Sequence, residues 1–246
     1  MYPDQSLYPA NSVPAVVRRV AAGLVDGQRG ELAPARRSLE RAVALFPRHF
    51  DAWTLLGLVA GKEGRAEDAR SACREALRIQ PGNERAWRAL ARIEEDSGRF
   101  EEAERAFADG LSRFPRSRAL LSGRGAFLHG RGRFEEARRA WEDALAVDGG
   151  AVEARLGLAR TLSALGRDAD AIGEARRAVA ASPGSVAARL FLAGRYESGG
   201  KALAAAAELG RAVRAAPRNP EPARLLLELG AREPAARSVA STALVG

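Results

Sequence analysis

The sequence predicts an all-α fold made of stacked helical hairpins, and three observations support this. Prolines recur on a 34-residue series in which Gly149 fills the one position without a proline. Alanines recur with the same period, and so does a glycine followed by a basic residue. A fixed period of this length is typical of chains that stack copies of one small unit. The prolines of the series are Pro47, Pro81, Pro115, Pro183 and Pro217.

The first half of each repeat has the spacing of an α-helix. If the repeats begin at residues 16, 50, 84, 118, 152 and 186, large residues recur at the fourth and seventh positions and small ones at the eighth. In the second repeat these residues are Trp53, Leu56 and Gly57. Apolar residues three and four apart predict one helical face, and the small residue lets a partner helix approach closely.

The second half of each repeat predicts another helix, separated from the first by glycine. Alanine recurs at the twentieth and twenty-seventh positions, for example Ala69 and Ala76. Gly64 and its counterparts suit the left-handed residue that ends a helix, and the acidic residues that follow favour the start of the next. The proline near the end of each repeat stops the second helix.

This spacing resembles the tetratricopeptide repeat family. The resemblance is clearest in the second and third repeats: Trp53, Leu56-Gly57, Ala69, Ala76 and Pro81, then Trp87, Leu90-Ala91, Ala103, Phe107 and Pro115. It covers residues 16–219 and implies an alpha-alpha superhelix of six helical hairpins, 16–49, 50–83, 84–117, 118–151, 152–185 and 186–219. The fifth and sixth repeats depart from the pattern, because Arg155 and Arg189 stand at the fourth position.

The two ends of the chain are expected to differ from the repeats. Residues 1–15 predict an irregular N-terminal arm, which either packs on the first helix, is disordered, or lies in the groove of its own or a neighbouring chain. Residues 220–246 predict C-terminal capping helices. The apolar residues of 234–246 either cover the preceding helix or form a surface for self-association.

Composition narrows the function classes. The net charge of +8 is carried almost wholly by arginine, and the excess lies in the first and last repeats. Nucleic-acid binders usually cluster basic residues on one face, so polyanion binding is the least favoured of the binding hypotheses. The single cysteine, Cys73, excludes an intramolecular disulfide and a cysteine-rich metal site. No cofactor or metal is predicted.

Membrane insertion and secretion are not expected either. No apolar run approaches the roughly 20 residues of a membrane span. The N-terminal residues lack the basic and apolar regions of a secretion signal, so the cytoplasm is the expected location.

The resemblance also implies which residues face a partner. In this family the first helices line a concave groove, and fixed positions on them turn toward the ligand. Two binding modes of the family do not fit, because the Lys and Asn residues of the carboxylate clamp and the asparagine ladder are both missing. The candidate groove residues are Leu24, Leu55, Leu58, Arg85, Arg88, Arg92, Ser122, Ala126, His129, Leu156, Arg160, Leu190 and Phe191.

Three arginines stand out among these candidates. Arg85, Arg88 and Arg92 are three and four residues apart and therefore share one helix face. They either receive acidic residues of a partner or are ordinary solvated charges, paired with Glu84 or Glu95.

The predicted function is a non-catalytic adaptor or scaffold that binds another protein, with an amphipathic helix carrying acidic residues as the expected ligand. The alternative is a self-assembling subunit that forms a homo-oligomer through the groove or the C-terminal end. Catalysis is not expected, because His49 and His129 lie in different repeats without an acidic partner. The carboxylates follow a helix-surface pattern and are expected to be solvated. Cys73 and the three tryptophans are expected in the core.

Overall fold

The computed structural model describes residue 22 and residues 32–245, the side chains of 244 and 245 excepted. Within these residues the chain is helix and turn without strands, so the prediction of an all-α fold is confirmed. The described helices are α1 (Leu32–Leu45), α2 (Phe50–Lys62), α3 (Ala66–Ile79), α4 (Glu84–Asp96), α5 (Phe100–Arg113), α6 (Arg118–Gly130), α7 (Phe134–Val147), α8 (Val152–Ala164), α9 (Asp168–Ala181), α10 (Val186–Ser198), α11 (Ala202–Ala215), α12 (Pro220–Arg232) and α13 (Pro234–Val245).

The chain divides into two compact units, with the boundary between Gly123 and Arg124 inside α6. In the first unit consecutive helices from α1 to α5 pack against each other. In the second unit consecutive helices from α7 to α13 do the same. Hairpins such as α2–α3 and α10–α11 therefore follow one another along the chain in both units.

Glycine follows the first helix of the five hairpins from α2–α3 to α10–α11, as the sequence predicts. Gly64 has a φ of 76°, in the left-handed region where a side chain is strained. Its N–H donates to the carbonyl of Gly61 (3.0 Å), and the N–H of Arg65 donates to that of Ala60 (2.9 Å). This pair of bonds satisfies the last carbonyls of the helix. The same φ recurs at Gly98, Gly132, Gly166 and Gly200.

The proline series marks the turn between repeats. Helix α3 ends at Ile79, and Pro81 lies in the turn that follows. The N–H of Asn83 donates to the carbonyl of Gln80 (3.1 Å) and closes this turn. The Asn83 side chain then accepts from the N–H of Ala86 (3.2 Å) and caps α4. Proline cannot continue the helix before it, so one short segment stops one helix and starts the next.

The residue at the fourth position of the repeat binds this turn. The indole Nε1 of Trp53 donates to the carbonyl of Pro47 (2.8 Å), and that of Trp87 donates to Pro81 (2.9 Å). In the fifth repeat Arg155 donates to the carbonyl of Gly149 (2.6 Å).

In the sixth repeat Arg189 donates to Pro183 (2.7 Å). The two arginines therefore keep the hydrogen bond that tryptophan makes elsewhere.

Each of these arginines also pairs with a glutamate 19 residues later. Arg155 lies 2.9 Å from Glu174, and Arg189 lies 2.7 Å from Glu208, both within one hairpin. Where tryptophan stands at the fourth position, the residue 19 positions later is alanine: Ala72 and Ala106. The fourth position and the position 19 residues later thus hold either tryptophan with alanine or arginine with glutamate.

Aromatic side chains of the second helices fill gaps that glycine leaves in the first helices. A Cβ atom added at Gly157 would lie 2.5 Å from the Trp141 ring, and one at Gly125 would lie 2.8 Å from it. Trp141 is accordingly buried, as predicted, whereas Trp53 and Trp87 are half-buried. Packing at this closeness leaves no room for a methyl group without movement of the ring.

The last helix covers the two helices before it. Helix α13 packs on α11 and α12 and buries Ala236, Ala240 and Ala243. Beneath this layer Leu226 and Leu229 of α12 are fully enclosed. The exposed residues of α13 among the described side chains include Ser238, Ser241 and Thr242. The three alanines are therefore covered by their own unit.

Candidate functional site

The arginines of the third repeat lie exposed on α4. The guanidinium of Arg92 is 3.7 Å from the carboxylate of Asp96, at the outer limit of an ion pair. Arg85 and Arg88 form no ion pair with any residue that the structure describes. Unpaired cations one turn apart on a helix form an electropositive strip that is available to an anionic partner.

The two glutamates suggested as partners for this strip differ in their surroundings. The carboxylate of Glu84 accepts a hydrogen bond from the hydroxyl of Ser117 (2.8 Å). Glu95 is half-buried, and burial together with the charge of Asp96 raises its pKa, against a lowering by Arg92. Neither glutamate makes an ion pair with the arginines among the described residues, so the pairing hypothesis finds no support in the contacts.

The remaining candidates of the first unit differ in exposure. Leu55 is only 5% exposed and packs in an apolar cluster with Leu39 and Val59, and the half-buried Leu58 packs against this cluster. Ser122 is half-buried on α6. Leu24 lies outside the described residues. Among these, Leu58 is the side chain that a partner could touch without rearrangement, because the hydroxyl oxygen of Ser122 is buried.

The candidates of the second unit include both apolar and charged groups. Ala126 and Arg160 are exposed, and Leu156 is buried at 8%. Leu190 and Phe191 are half-buried and pack at the edge of the large apolar cluster of this unit. The guanidinium of Arg195 lies 5.9 Å from the centre of the Phe191 ring, in the range of a cation–π contact.

The hydrogen bonds around His129 fix its tautomer. Its Nδ1 lies 3.0 Å from the hydroxyl oxygen of Thr161, which itself donates to the carbonyl of Gly157 (2.9 Å). Because a hydroxyl has one proton to donate, the two hydrogen bonds form together only when Nδ1 carries the proton of the neutral ring. Nε2 is then the nitrogen with the lone pair.

Two carboxylates correct the expectation that all acidic residues are solvated. Glu94 is 1% exposed and Glu208 is 8% exposed. Glu94 lies 2.9 Å from Arg70, 3.2 Å from Arg99 and 3.6 Å from Arg74. Glu94 stands in an acidic run that resembles a helix surface. The signal of its burial is the 34-residue period, because the same repeat position is apolar and buried elsewhere: Ala60, Leu128, Leu162 and Tyr196.

Cys73 is a buried thiol, as predicted. Its side chain is fully enclosed, and burial, with a smaller effect of Glu94, raises its pKa to about 12. The reactive thiolate is therefore almost absent in the folded state. We expect a thiol reagent such as DTNB to modify the folded protein far more slowly than the protein unfolded in urea. Equal rates in the two states would contradict the burial of Cys73.

Among the described helices, none combines the length and the apolar character needed to cross a bilayer.

A stack of helical hairpins, held by glycine and proline turns, defines the class of helical-repeat solenoids. Two models of the tetratricopeptide repeat family match the chain, one over residues 20–84 and 129–186 and the other over residues 62–124. The chain therefore belongs to the tetratricopeptide repeat family. Proteins of this family generally bind other proteins, and their fold is typically a non-catalytic interaction module.

Solved structures show the same fold. Yeast Tom70 superposes with a TM-score of 0.72 at 16% identity, over 94% of this chain and 47% of that one. A chain of the APC/C hetero-tetramer Cut9-Hcn1 gives 0.68 at 17% identity, over 88% and 43%. PilF of Pseudomonas aeruginosa gives 0.66 at 20% identity, over 79% and 88%. The chain thus spans less than half of the first two proteins.

None of the curated proteins compared with the chain matches its sequence.

Proposed function

We propose that the chain is a non-catalytic scaffold that binds another protein, and that the ligand is an amphipathic helix carrying acidic residues. Within each unit by itself, we call the exposed side of the first helices its first-helix face: α2 and α4 in the first unit, and the end of α6 with α8 and α10 in the second. The observation that carries the proposal is the strip of Arg85 and Arg88, exposed and without an ion pair among the described residues. Charge-assisted hydrogen bonds to carboxylates are the contacts that such guanidinium groups form.

The apolar half of the ligand has a matching surface in each unit. Leu58 of the first unit and Leu190 and Phe191 of the second unit are half-buried, so part of each side chain remains available. Burial of these groups against the apolar side of a helix supplies affinity, while the arginines set the orientation. A face that is already folded pays little ordering cost on binding.

The test combines a designed ligand with two charge-reversal variants. The ligand is a short amphipathic helical peptide with glutamates on one side, and its binding is measured by fluorescence polarisation at moderate salt. We expect the triple variant Arg85→Glu, Arg88→Glu, Arg92→Glu to weaken binding at least about tenfold. Folding should be unchanged, because these side chains make no buried contact.

A second triple variant is the matched control. Arg37, Arg105 and Arg139 are exposed on the second helices and make no ion pair with described residues. Their replacement by glutamate changes the net charge by the same amount away from the first-helix face, and we expect almost unchanged affinity. An equal loss in both triples would show general attraction between opposite charges and would refute the proposed site.

A further inference from the structure

The second unit carries a cation beside a half-buried histidine. Arg160 is exposed on α8, and no described carboxylate lies within ion-pair distance of it or of His129. Burial lowers the pKa of His129, and the charge of Arg160 lowers it further. Arg160 precedes Thr161 on α8, and the hydroxyl oxygen of Thr161 lies 3.0 Å from Nδ1 of His129, so this cation is the chain neighbour of a group that contacts the ring. The lowered pKa favours the neutral form of His129 at neutral pH.

The surroundings of the ring leave one nitrogen free for a ligand. Nδ1–H is bound to Thr161, so Nε2 is the position that can gain a proton. Helix α8 contacts the ring through Thr161, the chain neighbour of Arg160, and the start of α7 contributes the uncharged Phe134, whose ring centre is 5.3 Å away. Arg160 is the charged group that these elements bring to His129.

We propose that His129 and Arg160 form a carboxylate subsite on the first-helix face, where Arg160 holds an acidic side chain of the partner and His129 takes up a proton as the partner binds. The inference rests on the proposed function, because it assumes an acidic ligand on this face. The proton comes from the solvent, is bound at Nε2, and makes that nitrogen a hydrogen-bond donor to the carboxylate.

The expected pH dependence follows from the change in charge around the ring. A bound carboxylate offsets the repulsion from Arg160 and adds attraction, so the pKa of His129 is higher in the complex than in the free protein. Affinity then rises as the pH falls through the higher pKa and levels off below the lower one. Glutamates of the ligand stay ionised until about pH 4.3, so the rise is not masked by their protonation above about pH 5.5.

The experiment measures binding and proton uptake with the glutamate peptide described above. Affinity is determined at about pH 8 and about pH 5.5, and calorimetry in two buffers of different ionisation enthalpy counts the protons bound. NMR of the imidazole rings follows His129 directly, with His49 in the α1–α2 turn as the internal reference. We expect affinity to rise about tenfold for each unit by which binding raises the pKa of His129.

Two variants and one control ligand separate the roles. His129→Gln should bind the peptide with the affinity that the native chain shows at high pH and without proton uptake. Arg160→Gln should weaken binding at both pH values. A peptide with glutamine in place of glutamate should leave the titration of His129 unchanged. If a variant fails to fold, the NMR titration of the native chain decides alone.

The outcomes distinguish this inference from the proposed function. Binding that the triple reversal on α4 weakens, but that occurs without a rise in the pKa of His129, would overturn the inference and leave the proposed function intact. No binding at either pH would end both.

Discussion

Replacing Glu94 with alanine is expected to destabilise the first unit by about 3 kcal/mol, because it leaves a buried guanidinium without its carboxylate. Arg70 is 3% exposed and donates from Nε to Glu94. The loss stays near the lower end of the range for broken buried pairs, since Arg70 keeps the carboxylate of Glu67. Arg74 and Arg99, which also face Glu94, are partly exposed and can turn to water.

A surface variant and a double variant give the controls. Glu67→Ala removes the other carboxylate near Arg70, but Glu67 is 84% exposed. We expect a much smaller loss there, because solvent screens exposed pairs. The double variant Arg70→Ile, Glu94→Leu replaces the pair by apolar side chains and should recover much of the stability that Glu94→Ala loses.

The measurement should distinguish unfolding of the first unit from unfolding of the second. Urea unfolding followed by circular dichroism reports on the whole chain, whereas labelling of Cys73 reports on opening of the first unit around it. Glu94→Ala should speed Cys73 labelling at low urea, and Glu67→Ala should barely change it. If both single variants lost the same free energy of unfolding, the prediction that the buried carboxylate contributes more than the exposed one would be wrong.

The repeat pattern made most of the fold predictable from the sequence. Glycines in the left-handed conformation, such as Gly64, were predicted from their spacing, because few other residues adopt it without strain. The buried position of Cys73 also followed from its place in the repeat. These features depend on contacts within a repeat or between neighbours, and such contacts recur with the period.

Other features were not predicted, because they depend on pairs of residues in different repeats. Arg70, in the preceding repeat, supplies the charge that pairs with the buried carboxylate of Glu94. The hydrogen bond of His129 to Thr161 likewise joins residues 32 positions apart. The repeat position of Glu94 indicated burial, whereas its charge indicated a surface; elsewhere this position holds buried apolar residues, Ala60, Leu128, Leu162 and Tyr196. Leu55 shows the reverse case, since a groove-facing position is buried here by its neighbours.

Arg155 and Arg189 depart from the family pattern, and the structure explains both departures in the same way. Each arginine alone looks like a polar residue in a packing position. Together with the glutamate 19 residues later, it forms an ion pair that occupies the place of tryptophan and alanine. The hydrogen bond to the turn carbonyl is common to both solutions. The two positions must therefore change together if the hairpin is to stay packed.

This dependence predicts a strong coupling between Arg189 and Glu208. Arg189→Ala should destabilise the second unit by about 3 kcal/mol, because Glu208 is nearly buried and the carbonyl of Pro183 loses its donor. Arg189→Trp alone should also destabilise, since the indole then meets a glutamate where Trp53 and Trp87 are paired with alanine. The double variant Arg189→Trp, Glu208→Ala should recover stability, because it copies the combination of the second and third repeats.

A double-mutant cycle in urea measures the coupling, with Arg189→Trp and Glu208→Ala as the single variants. We expect the double variant to be more stable than the sum of the single effects by roughly 1–3 kcal/mol. Arg155 and Glu174 provide the replicate within the same unit, because they hold the same two positions and Arg155 also binds the turn carbonyl. Additive effects at both pairs would show that the fourth position and its partner are independent, and that the hydrogen bond to the turn alone decides which residue fits there.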